Sequence, residues 1–326
     1  MERAAIIPGN AAAVVLPFLG KGRKITRCVR GPGSPGGGRD SVVGVSVLRI
    51  LKQARRLARN GGKWKYDSFG RCASCGQVAF FVNDLSMRKW MAGLTAPWDL
   101  SAGFKTALAD RENGFCLDCF ANIRMRAHAA TVLRLLGMTR VGELVSRLRR
   151  DRSFRFYETA AYNIFRARGL RELPGYLVSE YFDDLPPGTL RNGVRNENLE
   201  CLTFPDGYFD VVANSDVLEH VHHPDKALSE IRRVLRPGGF HVFTVPVDLE
   251  LERTRDRARA VDGKLVQLLP AILHGDPIRE GGIPVLRDFG RDILEYLSRE
   301  RMSCREELHY RNGRPVASVY YARKDA

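Results

Sequence analysis

The spacing of apolar residues changes several times along this 326-residue chain. Residues 1–40 show no period, and GKGRK at 20–24 and GPGSPGGG at 31–38 break every apolar run. Such chain buries too little apolar surface to offset its ordering entropy. It reads as a leader that is disordered or lies upstream of the true start. Residues 11–19 are apolar, but Pro17 divides them and no small-residue cleavage site follows. Residues 42–59 put apolar side chains at helical spacing opposite Arg and Lys, which predicts a short basic amphipathic helix ended by Gly61 and Gly62. Such a helix suits a membrane surface, an RNA or plain solvent. Residues 124–149 predict helix with a break near Gly137, and residues 154–168 predict another short helix.

From Gly175 onward short apolar runs alternate with helical ones. Strands are expected at YLVSEYF (176–182), FDVVANS (209–215) and FHVFTV (240–245). Between the last two, Ala227, Leu228, Ile231, Val234 and Leu235 mark one face of a helix over 225–236, ended by Pro237, Gly238 and Gly239. Another helix is expected over 287–297. Two closing strands flank a turn at Asn312 and Gly313. This is α/β texture with a mostly parallel sheet and an antiparallel edge. Four regions follow: a basic leader (1–60), a cysteine module (61–123), a helical linker or cap (124–170) and an α/β domain (171–326).

Charge sharpens that division. The net charge of +15 invites a nucleic-acid reading. Yet residues 1–170 hold 30 basic and 11 acidic residues, whereas residues 171–326 hold 22 and 26. The basic character belongs to the first half. No run of 18 apolar residues is present, so a transmembrane helix is not expected.

Seven cysteines, an odd number, argue against a disulfide scaffold and for a reducing, cytoplasmic home. Four form two C-x-x-C pairs: Cys72 with Cys75, and Cys116 with Cys119. Each pair can aim two thiolates at one ion, and two pairs complete a tetrahedral site suited to structural Zn²⁺. Gly76 permits the tight turn after the first pair. The same spacing also admits iron, or a redox pair.

The densest signal runs from 202 to 239: L-x-F-P-D-G-x-F-D-V-V at 202–212, S-D-V-L-E-H-V at 215–221 and E-I-x-R-V-L-R-P-G-G at 230–239. In this order they resemble the class I S-adenosylmethionine-dependent methyltransferases of the type 11 branch. S-E-Y-F at 179–182 and G-V-R-N-E at 193–197 are also similar to methyltransferase-like proteins found beside polysaccharide glycosyltransferases.

The resemblance implies a Rossmann-like sheet and S-adenosylmethionine as cofactor. It implies Glu180, after the second strand, on the ribose hydroxyls. It implies Asn198 and the Leu199 backbone at the adenine, with Asn214, Ser215, Asp216 and Glu219 near the methionine end. The family's first strand is followed by a G-x-G-x-G-like turn; none precedes Tyr176, where only Gly169 and Gly175 stand. A modified or degenerate first βα unit is therefore expected.

His220 is the candidate general base, since imidazole titrates near neutral pH. A metal reading of His220, His222 and His223 lacks ligand spacing. The segment 249–281 is placed as a substrate lid, in which His274 and Asp276 would form an oriented base pair. The expected reaction is methyl transfer to a hydroxyl of a small molecule or saccharide. Two rivals stand beside it: an RNA methyltransferase with a zinc recognition module, and a catalytically degenerate methyltransferase-like partner protein.

Overall fold

A computed structural model describes residues 46–160, 164–261, 264–276, 278–279, 281–298 and 302–325. Most of the expected leader, with Cys28, lies outside them. Helix α1 (Val47–Arg59) ends at Asn60, ahead of the two glycines. It buries Gln53, whose Oε1 accepts from the Phe80 N–H at 2.9 Å, and Arg49 pairs with Asp118 at 3.0 Å. The basic helix thus docks on the cysteine region.

Strands β1 (Trp64–Arg71), β2 (Val78–Asp84) and β3 (Phe115–Cys116) form a small antiparallel sheet. Between β2 and β3 lie α2 (Leu85–Thr95) and α3 (Ala102–Arg111). Their N-termini are capped by Asp84 and Ser101, whose side chains accept the otherwise unpaired N–H groups. Asn122 caps α4 (Ile123–Leu135) in the same way, and α5 (Val141–Arg150) follows after Gly137, which adopts φ +68°.

The main sheet contains β4 (Phe156–Glu158), β5 (Tyr176–Glu180), β6 (Leu190–Arg191), β7 (Val194–Asn196), β8 (Phe209–Ser215) and β9 (Leu235–Thr244). Its order is completed by β16 (Cys304–Arg311) and β17 (Arg314–Arg323) and reads β16-β17-β9-β8-β4-β5-β7-β6. The β7-β5-β4-β8-β9 run is parallel; β17 is antiparallel to both β9 and β16. Helix α6 (Pro224–Val234) joins β8 to β9.

Two expectations are corrected here. Residues 154–168 contain a strand, not a helix, and the sheet begins at Phe156, upstream of the expected boundary at 171. Phe156 packs in the core on the α4 and α5 side and Tyr157 in the core on the α6 side, so β4 is buried on both faces. All three residues of the strand, Glu158 included, are buried, which suits a central strand where a surface helix would need exposed polar positions.

Second, Pro237, Gly238 and Gly239 lie within β9 and not after a longer helix. A Cβ on Gly239 would stand 3.0 Å from the carbonyl oxygens of Arg236 and Asp210, so only glycine lets the two strands approach there.

Between β9 and β16 the chain makes three small two-stranded ribbons. They pair β10 (Arg255–Asp256) with β15 (Arg287–Asp288), β11 (Ala258–Val261) with β12 (Lys264–Gln267), and β13 (Leu273–His274) with β14 (Ile283–Pro284). Because Arg287 and Asp288 pair with Arg255 and Asp256, the helix expected over 287–297 shrinks to α7 (Ile293–Leu297). The insertion is tied to α3: Asp248 accepts from the Ser101 hydroxyl at 2.6 Å and its N–H at 2.9 Å. Fully buried Arg257 bonds Asp288 at 2.6 Å and also Asp99.

Candidate active site and cysteine cluster

The carboxyl ends of β4, β5, β7 and β8 share one edge of the sheet, where open α/β sheets collect ligands. At the end of β4, Glu158 is fully buried. It accepts from the Ile164 N–H and the Tyr176 hydroxyl, each at 2.7 Å. Burial raises its pKa above the ordinary carboxyl value. The next residue, Thr159, has a buried hydroxyl with no hydrogen-bond partner among the described residues. Ala160 follows at φ +51°.

The first βα connection therefore begins directly after Glu158, with Thr159 and Ala160, and not just before Tyr176. Alanine adopts there a left-handed conformation that glycine takes without the steric cost of about 1–2 kcal/mol.

Glu180 stands at the end of β5, half-buried, with Oε1 accepting from the Tyr181 N–H at 3.3 Å. Asn198 follows β7, and its Oδ1 accepts from the Glu200 N–H at 2.9 Å. Leu199 is part of the core. Asn214 is buried beside His241, with its Nδ2 unpaired among the described residues. Ser215 accepts from Arg124 Nη1 at 2.5 Å and lies 3.0 Å from the Thr244 hydroxyl.

Asp216, at φ +54°, meets Arg111 of α3, lies 3.3 Å from Arg124 of α4 and accepts from Thr244 at 2.9 Å. Burial alone would raise this carboxyl, but the two guanidiniums outweigh burial and hold it below its ordinary value. Glu112 binds Arg124 Nε at 2.5 Å and lies 3.4 Å from Arg111 Nε. Sequence pattern missed both arginines, because their carboxylate partner is about a hundred residues away.

Past β8, Glu219 is fully buried and neither carboxylate oxygen accepts a hydrogen bond among the described residues. Its Oε1 lies 3.8 Å from His220 Nε2 and 3.8 Å from His274 Nδ1. His220 Nδ1 is 2.7 Å from the Pro284 carbonyl, and its Nε2 is 3.2 Å from His274 Nδ1. Burial lowers His220 to about 4 and His274 to about 3, so both are neutral at pH 7. The ring of Trp98 lies against His274, with centroids 5.8 Å apart.

The expected His274 and Asp276 pairing is not made. Asp276 instead binds Arg279 at 2.7 Å and caps the Ile278 N–H at 2.7 Å, because a residue three positions on reaches it first. His274 pairs with His220.

In the small sheet, the Sγ atoms of Cys72, Cys75, Cys116 and Cys119 all lie within 4.8 Å of one another. The two knuckles share one shape. Gly76 donates its N–H to Cys72 O and Phe120 donates to Cys116 O, each at 2.8 Å, with φ +75° and +61°. Hydrogen bonding from Cys116 drives the Cys72 thiol well down, and hydrogen bonding from Cys119 drives Cys116 down. Contact with Cys116 pushes Cys75 and Cys119 up. Four sulfurs this close form a donor set that one cation would balance.

A parallel sheet wound both ways from β4, closed by an antiparallel hairpin, with carboxylates and imidazoles gathered at its carboxyl edge, defines a Rossmann-like methyltransferase fold. Residues 180–243 match the family model described as a methyltransferase domain.

The ubiquinone/menaquinone biosynthesis C-methyltransferase UbiE of Francisella tularensis subsp. tularensis (strain FSC 198) is 55% identical over 113 residues, covering 30% of this chain and 45% of that protein. The protein of the same name from Francisella philomiragia is 33% identical over 113 residues, with the same shares covered. The chain thus spans less than half the length of the curated relatives it matches. Among solved structures, an S-adenosylmethionine-dependent methyltransferase from Mesorhizobium loti is 17% identical, covering 53% of this chain and 91% of that one, with a TM-score of 0.34. Among the described residues no helix is long and apolar enough to cross a membrane.

Proposed function

We propose that the protein transfers a methyl group from S-adenosylmethionine to a hydroxyl oxygen of a small molecule or saccharide. One observation carries the reading: the family-matched segment 180–243 coincides with the carboxyl edge that gathers Glu180, Asp216, Glu219 and His220. The edge fits the cofactor's polar groups, since the Thr159 hydroxyl is buried there without a partner among the described residues. Glu180 would hold the ribose hydroxyls. Asn198 retains a second oxygen lone pair for the adenine amino group, beside the Leu199 N–H. Asn214, Ser215, Asp216 and Glu219 would border the methionine end.

When bound, the cofactor supplies a sulfonium-activated methyl; the oxygen–carbon bond forms as the sulfur–carbon bond breaks, and that bond pair stays on sulfur. The protein's part is alignment and proton removal. His220 and His274 are held as neutral imidazoles, and each can take the acceptor's proton. Trp98 supplies an apolar wall beside them. For the cysteine cluster we infer a structural Zn²⁺ held by four thiolates with no open position. It would fix the small sheet from which α3 and α4 send Arg111 and Arg124 to the edge.

Calorimetry with S-adenosylmethionine tests the reading. Saturable binding by the folded, metal-replete protein is expected, and its absence would leave a methyltransferase-like partner protein instead.

A further inference from the structure

Glu219 poses a problem that the methyl-transfer reading leaves unsolved. A buried carboxyl needs hydrogen-bond partners when neutral and a cation when charged. The neighbouring carboxylate of Asp216 has two arginines, whereas among the described residues the only groups that ion-pair geometry brings to Glu219 are the two imidazoles of His220 and His274.

Those imidazoles are oriented for a third party. The Pro284 carbonyl, 2.7 Å from His220 Nδ1, fixes the proton on that nitrogen and leaves the Nε2 lone pair facing inward. The loop carrying Glu219 and His220 is itself braced. Leu286 donates its N–H to the Glu219 carbonyl at 2.8 Å, and buried Arg287 donates to the carbonyls of Leu218 at 3.1 Å and Val221 at 2.8 Å.

The distances match a coordination sphere. Ligands held at about 2.1 Å from a tetrahedral cation stand about 3.4 Å from one another. The three separations here are 3.2, 3.8 and 3.8 Å. We propose that Glu219, His220 Nε2 and His274 Nδ1 form a binding site for one divalent transition-metal cation, separate from the cysteine cluster. Two imidazoles and a carboxylate suit zinc, iron, cobalt or manganese and leave open coordination positions. An ion there would occupy the His220 Nε2 and His274 Nδ1 lone pairs and replace those nitrogens as the means of proton removal, binding an acceptor oxygen and favouring its deprotonated form, so the acceptor would be a hydroxyl compound gripped through oxygen. The site stands on geometry alone; the role given to the ion rests on the methyl-transfer reading.

The full-length protein, dialysed against EDTA, is titrated with Co²⁺ while absorbance and metal content are followed. The cysteine cluster reports itself through thiolate charge-transfer absorption. The expected result is one further Co²⁺ per chain that adds weaker visible bands without the thiolate signature. His274→Gln and Glu219→Gln should each weaken that second equivalent at least about tenfold. Circular dichroism and the thiolate-bound equivalent serve as the check that the fold persists.

Uptake of no ion beyond the cysteine equivalent, or equal affinity in folded His274→Gln and Glu219→Gln proteins, overturns the proposal. S-adenosylmethionine calorimetry on the same samples separates the two ideas. Cofactor binding without a second ion defeats only the ion site, and a second ion without cofactor binding defeats only the methyl-transfer reading.

Discussion

Arg111, at the last turn of α3, is ion-paired with Asp216, the first residue past β8. The contact joins the cysteine-bearing half of the chain to the edge of the methyltransferase sheet. Removing one partner of a buried pair leaves the other uncompensated. Arg111→Met is expected to lower stability by about 3 kcal/mol, tempered by Arg124, which still faces Asp216 at 3.3 Å. Urea unfolding reads the change, and a loss below about 0.5 kcal/mol would contradict the assignment.

The same carboxylate sets an acid limit. Asp216 is held below its ordinary value in the folded chain, so its contribution to stability is complete above the unfolded carboxyl value of about 3.9. That contribution disappears as pH falls through the depressed folded value. Wild type should therefore lose stability below about pH 4 more steeply than Asp216→Asn, as followed by thermal melts across pH 2.5 to 6.

Glu180 is expected to matter for cofactor and little for folding, since it lies half-buried at a strand end. A charged hydrogen bond contributes about 1.5–3 kcal/mol. Glu180→Ala should weaken S-adenosylmethionine binding by roughly tenfold to hundredfold, with an unchanged melting temperature. Unaltered affinity would remove Glu180 from the ribose.

Ala160 offers the opposite experiment. Its φ of +51° costs an alanine what glycine avoids, so Ala160→Gly should stabilise the protein by up to about 1 kcal/mol. Equilibrium denaturation measures it. A destabilised variant would show that the methyl group makes contacts worth more than the strain.

For the cysteine cluster, one metal equivalent should be lost in Cys75→Ser or after treatment with a strong chelator. Structural metal binding is folding free energy, so the melting temperature should fall. Cofactor affinity should fall with it, because Arg111 and Arg124 depend on that module for their placement. A chelator-treated protein that keeps both would show the cluster to be a packed group of thiols.

Much of this molecule was legible from short-range pattern. The strand FDVVANS and the helix before Pro237 are set by neighbouring residues, and two C-x-x-C pairs announce their geometry through spacing alone. Phe156–Glu158 was hidden because two aromatic residues and one acidic residue after Arg155 carry no readable period, and only the strands on either side make them a strand. Asp276 was matched to His274 by proximity in sequence, while Arg279 was closer in space. Arg124 and Ser215 lie 91 residues apart, so their hydrogen bond is a property of the fold and of no local motif.

The tie between Ser101 and Asp248, together with Arg257 reaching Asp99, binds the insertion after β9 to the helices of the cysteine module. Trp98 beside His274 belongs to the same clasp. Composition suggests a seam near residue 171, where basic chain gives way to acidic, but no cut there would yield two self-sufficient pieces. The downstream fragment would carry Asp216 stripped of Arg111 and Arg124 and Asp248 stripped of Ser101, and it would lack β4, the strand from which the sheet is wound. Anyone shortening this protein for expression or grafting should keep residues 46–325 as one unit.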